Sequence, residues 1–171
     1  MWLSNILPLS QKEKELLENA KTLIPSITLV SVINYDELLE KYLVLKNMKE
    51  TDWNFYFAVA AVAAATVGLE KVNIKSKLKS TISKIYGKAL EEWNPKWDES
   101  FKDCYTFLYE HIEIFDTPEY EKHPGFRVSD TLGLWLAWNL LSYRPTTNNE
   151  LELIRPLGLL VTSEFIRWWT K

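Results

Sequence analysis

Both histidines of this chain, His111 and His123, lie in its most acidic stretch, among Glu110, Glu113, Asp116, Glu119 and Glu121. Imidazole together with carboxylate is the usual ligand set of zinc and iron sites. The spacing argues against a metal. Neither histidine stands in Glu-x-x-His or His-Glu-x-x-His, the patterns that aim paired ligands inward from a helix. Helical periodicity also turns Glu110 away from the apolar face formed by Phe101, Cys104, Tyr105, Leu108, Ile112 and Phe115. The expectation is an acidic, solvated surface that holds no metal and no cofactor.

A second candidate is the segment Lys122-His-Pro-Gly-Phe-Arg-Val-Ser-Asp130. If Ser129 or Asp130 caps the helix that follows, His123 and Arg127 stand just ahead of free backbone N–H groups and the positive end of the helix dipole. His123, Arg127 and Ser129 would then hold a phosphate or carboxylate, an arrangement that the charge of Asp130 opposes. The lone cysteine, Cys104, falls on a core-facing stripe. His111 is two turns further along the same helix, about 10 Å by helix geometry. A Cys–His nucleophile pair within this helix is therefore excluded, and a buried structural thiol is expected.

The Lys-rich segment around residues 75–88 offers a third surface. Ile74, Leu78, Ile82, Ile85 and Ala89 share one stripe, while Ser76, Ser80, Ser83 and Gly87 line the opposite side between flanking lysines. Phosphate tolerates lysine as a point charge, but base readout draws on Arg or amides, which this face lacks. With a net charge of −3 and a sequence pI of about 5.5, nucleic acid is disfavoured as a partner. Gly-x-Gly-x-x-Gly, phosphate-loop, Gly-x-Ser-x-Gly and Cys-x-x-Cys patterns are all missing from the sequence. Catalysis is not the expected role.

The elements that would carry these residues are helical. Seventeen consecutive residues without a formal charge, Trp53 to Leu69, include six alanines. Ala is the strongest helix former, and a helix apolar on every side must be buried. The run is at the short edge of a membrane span, and its alanines gain little from lipid, so a buried central helix is expected rather than a transmembrane one. Thr51 or Asp52 would cap it, with Gly68 near its end. Ser10-Gln-Lys-Glu13 reads as a capping box for a first helix that Pro25 ends. The β-branched stretch 27–33 has no partner strand and reads as further helical turns, and Asn34-Tyr-Asp-Glu37 reads as a second capping box.

Asn73 is the expected cap of a Lys-rich helix reaching about Trp93, Asp98 opens the next, and 117–127 reads as irregular. Trp135 and Trp138 are expected core residues of a strongly apolar helix, and the last helix runs from about Asn149 with a break or kink at Pro156. The fold class that follows is all-α: one domain, residues 1–171, of about seven helices around the Ala-rich helix.

Charge is segregated along the chain. Residues 71–90 carry six lysines and no acid, whereas 91–124 carry ten acids against three lysines. That asymmetry bears on association rather than fold. The function expected is a non-catalytic protein-binding module of inhibitor, immunity or adaptor type. Its contact residues would be Glu110, Glu113, Asp116, Glu119 and Glu121, with Trp168 and Trp169 as aromatic anchors. The partner would be another protein with a basic surface, with no membrane engaged. The competing reading is a small-ligand or anion-binding protein or enzyme using His123, Arg127 and Ser129. One cysteine and the lack of a basic, cleavable leader place the expected site of action in the cytoplasm.

Overall fold

A computed structural model describes residues 9–115 and 117–169, with the side chains of residues 124 and 164–169 outside that description. The Ala-rich run forms the middle of α2, Glu50–Lys71. Trp53, Phe55, Phe57 and every residue from Ala58 to Ala65 are buried there, because small side chains let neighbours close in from all sides. Those neighbours are α1 (Gln11–Lys41), α3 (Ser76–Glu91), α4 (Trp97–His111), α6 (Pro124–Leu141) and α8 (Ile154–Trp169). Two one-turn helices, α5 (Pro118–Glu121) and α7 (Asn148–Leu151), complete the order, and the described residues contain no strand. The fold is all-α, built around α2 as its central helix.

The start of α1 is held as the sequence predicts. The Ser10 hydroxyl accepts from the Glu13 N–H at 3.2 Å, and the Glu13 carboxylate accepts from the Ser10 N–H at 2.8 Å. Its end is not where Pro25 was expected to set it. The helix continues through the exposed Pro25 to Lys41, taking in 27–33 and the supposed second capping box. Asn34 instead donates to the Val30 carbonyl at 2.7 Å from mid-helix. An interior proline costs about 3 kcal/mol. Burial of Ala20, Leu23, Ile24, Ile27 and Leu38 along one side of α1 offsets that cost.

Other boundaries shift for related reasons. Lys49 precedes α2 without a capping side chain, and Asp52 complements the helix dipole from the first turn rather than capping it. Gly68 lies in the last turn of α2, near its end as expected. α3 begins after Lys75 rather than at Asn73, and α4 after Lys96 rather than at Asp98. On α3 the core stripe is Leu78, Ile82, Tyr86 and Leu90, rotated slightly from the expected one. The opposite, Ser-lined side is partly closed by the chain itself, since a Cβ on Gly87 would lie 3.0 Å from the Trp97 ring. Pro156 falls in the first turn of α8, where proline is tolerated, so the expected interruption is a break, and it falls between Leu151 and Ile154, just ahead of the proline.

The backbones of α6 and α8 come into direct contact. A Cβ on Gly133 would stand 1.8 Å from the Ile154 carbonyl oxygen, and one on Gly158 would stand 2.1 Å from that of Ser129. Only glycine lets two helix backbones meet at this distance. Leu132, Trp135, Leu136, Leu153, Leu157 and Val161 bury around the contact.

Candidate functional site

Proline at the first helical position is preorganised for a helix, and Pro124 starts α6 with His123 as its N-cap. Ser129 and Asp130 therefore sit inside α6, both buried, and neither caps it. Ser129 accepts from the Thr162 hydroxyl of α8 at 3.1 Å. Arg127 donates from Nε to the Ile112 carbonyl at 3.0 Å, and the exposed His123 ring meets Phe126 edge-on, 5.6 Å between centroids. The three residues of the expected anion site are thus directed at three different neighbours. Asp130 has its own partner: Arg155 grips the carboxylate through Nε at 2.7 Å and Nη2 at 2.6 Å, and the Tyr120 hydroxyl also donates to it. This cluster ties α5, α6 and α8 together, and Arg155 lies 25 residues from the carboxylate it holds.

Cys104 is fully buried, and that burial pushes its thiol well above the ordinary value. It is a core residue, not a nucleophile. At another flank of α4, Tyr105 and Tyr109 both donate to the Glu70 carboxylate of α2, Tyr109 at 2.8 Å. Those two hydroxyls hold Glu70 below the usual carboxylate range, Tyr105 contributing most. The arrangement pins α4 to the end of α2.

Between α4 and α6 a cleft of about 410 Å³ opens. Residues spaced three and four apart supply its walls, as helix geometry requires. Asp103, Thr106, Phe107, Glu110 and His111 come from α4, and Trp135, Trp138 and Asn139 come from α6. The Trp135 indole N–H donates to Asp103 at 2.7 Å, and Asn139 donates back to the Trp135 carbonyl at 2.9 Å. Together with the Arg127–Ile112 bond, the Trp135–Asp103 bond makes the two helices antiparallel here. Phe107 meets Trp138 edge-on at 5.9 Å and stacks flat on His111 at 4.0 Å. The Nδ1 atom of His111 is buried and has no hydrogen-bond partner. Arg144, beyond the cleft, places its guanidinium 5.8 Å from the Trp138 ring.

Four of the acidic residues expected to form a surface are exposed. Glu110 is exposed at the rim of the cleft, Glu113 is exposed in the 3₁₀ turn Ile112–Phe115, and Glu119 and Glu121 are exposed on α5. Asp116 lies outside the described residues, as do the side chains of Trp168 and Trp169. No group of His, Cys, Asp and Glu among the described residues is arranged to hold a metal ion.

Sequence reasoning placed Trp138 in the core and passed over Asp103 and Asn139. The signal available was the helical register that puts 103, 107 and 110 on one face of α4. That face reads as ordinary solvated helix until α6 is laid against it. The chain matches no family model, no curated protein and no solved structure.

Proposed function

We propose that this protein is a non-catalytic binding module that receives a basic protein partner on the face formed by the rim of α4, the turn after it and α5. The observation that carries the reading is the exposure of Glu110, Glu113, Glu119 and Glu121 along one stretch of chain, none of them engaged by a cation among the described residues. Solvated like charges left uncompensated raise the encounter rate with a partner of opposite sign and suppress partners of the same sign. The Lys-rich exposed side of α3 offers the contrasting potential and would orient the approach. Action in the cytoplasm is part of the same proposal, supported by a single buried thiol with no disulfide.

The test compares two variants of equal charge change. One replaces Glu110, Glu113, Glu119 and Glu121 by Gln; the other replaces Glu15, Glu18, Glu37 and Glu40 on α1, all equally open to solvent except for the Glu18–Lys21 pair. Association with the partner purified from the native host is measured at low and high salt. The first variant is expected to slow association sharply and flatten its salt dependence, while the second leaves both nearly unchanged. Equal effects from the two variants would show that only net charge matters and would overturn the reading.

A further inference from the structure

The α4/α6 cleft combines two features that an acidic surface alone lacks: enclosed volume and aromatic faces. Asp103 and Glu110 stand seven residues apart on one side of α4, about 10 Å along the axis. Between them lies Phe107, with Trp135 and Trp138 across the cleft. Carboxylates beside indole and phenyl faces form the environment that stabilises an organic cation, since the rings carry negative potential on their faces and the acids supply the counter-charge. The molecule already displays the preference: Arg144 has settled its guanidinium near the Trp138 ring. A bare anion would meet the like charges of Asp103 and Glu110, and a purely apolar group would leave the Glu110 carboxylate without a counter-charge.

We propose that this cleft takes the cationic end of a lysine or arginine side chain from the basic partner, with the Glu110 and Asp103 carboxylates as counter-charges and Trp138 and Phe107 as the aromatic wall. The proposal rests on the acidic-face reading above and adds the specific anchor that long-range attraction does not provide. Its volume of about 410 Å³ admits one long side chain and not a folded element. Rim charges set the rate of encounter, and the filled cleft sets the lifetime of the complex.

The experiment follows the indole N–H signals of Trp135 and Trp138 by nuclear magnetic resonance, assigned with Trp135→Phe and Trp138→Phe. The probes are N-acetyl-lysine methylamide, its uncharged norleucine counterpart, n-butylammonium, and a lysine-rich dodecapeptide. The lysine probe and the peptide are expected to move both signals saturably, and the norleucine probe to leave them in place. Glu110→Gln is expected to weaken the lysine probe by about threefold, the scale of an exposed ion pair. Asp103→Asn is a second variant on the same wall, in case one carboxylate dominates. A Glu113→Gln, Glu119→Gln, Glu121→Gln variant is expected to weaken the peptide and spare the small lysine probe.

Norleucine binding as well as lysine would overturn the cation site. So would an affinity for the lysine probe unchanged by both Glu110→Gln and Asp103→Asn, and if the rim variant still weakened the peptide, the acidic-face reading would survive alone. Peptide binding untouched by the rim variant, with n-butylammonium as tight as the peptide, would assign the cleft to free amines. That result would overturn the partner instead.

Discussion

Helices α1 and α2 have almost the same mean hydropathy over their most apolar eighteen residues, 1.3 and 1.2, and both are long and apolar enough by that measure to cross a membrane. Their surroundings differ. In α2, 67% of that window is buried, and in α1 only 28%. Average hydropathy therefore does not decide which helix is central; the side-chain sizes and their placement around the axis do. α2 is apolar on every face and small on most, so five helices can pack against it. α1 buries Leu23, Ile24, Ile27 and Leu38, and leaves Leu29 61% and Ile33 67% exposed on the outer side. The one helix is a hub. The other is a covering layer with an apolar outer row.

Trp53→Ala should give the largest effect. Trp53 is fully buried, packs on Phe57 at 4.8 Å, and donates its indole N–H to the Ser31 carbonyl of α1 at 3.1 Å. Loss of the ring leaves a cavity and removes the side-chain hydrogen bond that ties α2 to α1, and a destabilisation of about 4 kcal/mol is expected in urea titration. A value near zero would mean that α2 is not the hub. Ala61→Leu tests the same helix from the other direction. Ala61 has no exposed surface, so the extra methylenes must push neighbours away, at about 2 kcal/mol by thermal unfolding. If Leu were accommodated without loss, the dense packing attributed to small side chains would be wrong.

Acid should separate the two helix starts. Glu13 is held below its ordinary value of 4.5 chiefly by the Ser10 backbone N–H, whereas α2 begins without a side-chain cap. A carboxyl lowered in the folded state contributes stability above its unfolded value, and loses it as pH falls through its folded value. Amide protection in the first turn of α1 is thus expected to fall as pH drops below about 4.5, and to fall by more than in the first turn of α2, which has no side-chain cap to lose. Glu150, pulled down to about 2 mainly by the backbone N–H groups of Thr146 and Thr147, should protect the start of α7 through the same window. Parallel behaviour of α1 and α2 would remove the distinction. The smallest effect belongs to Leu29→Ser with Ile33→Ser, expected within about 0.5 kcal/mol by chemical denaturation because both side chains are already in solvent. A loss of several kcal/mol would place the outer face of α1 in a contact.

Much of the helical content was legible because its signals are local. The Ser10–Glu13 box and the apolar stripes of α3 and α4 each require only a few neighbouring residues. Local signals misled where tertiary burial outweighed them. Pro25 and Asn34 carry strong stop and start preferences, and both sit inside one continuous helix. Ser129 looked like a cap because Ser and Asp cap helices, yet Pro124 begins α6 earlier and Gly158 leaves room for the Ser129 backbone against α8. In the candidate site, the exposure of Glu110, Glu113, Glu119 and Glu121 followed from charge and periodicity alone. The cleft beside Glu110 did not, because Asp103 and Trp135 are 32 residues apart and meet only when α4 and α6 pack antiparallel.

By itself the sequence determined that the chain is all-α, that residues 53–69 form its buried central helix, and that ten of its acids fall within residues 91–124. Composition and periodicity act through nearest neighbours and through the cost of hiding charge, and neither depends on the final packing. Only the tertiary structure decided that Asp130 is held by Arg155 and that an aromatic cleft lies open beside Glu110. Each of these depends on which helices pack together and at what distance. That is settled by fitting specific side chains against one another, as where Gly133 and Gly158 let α6 and α8 touch.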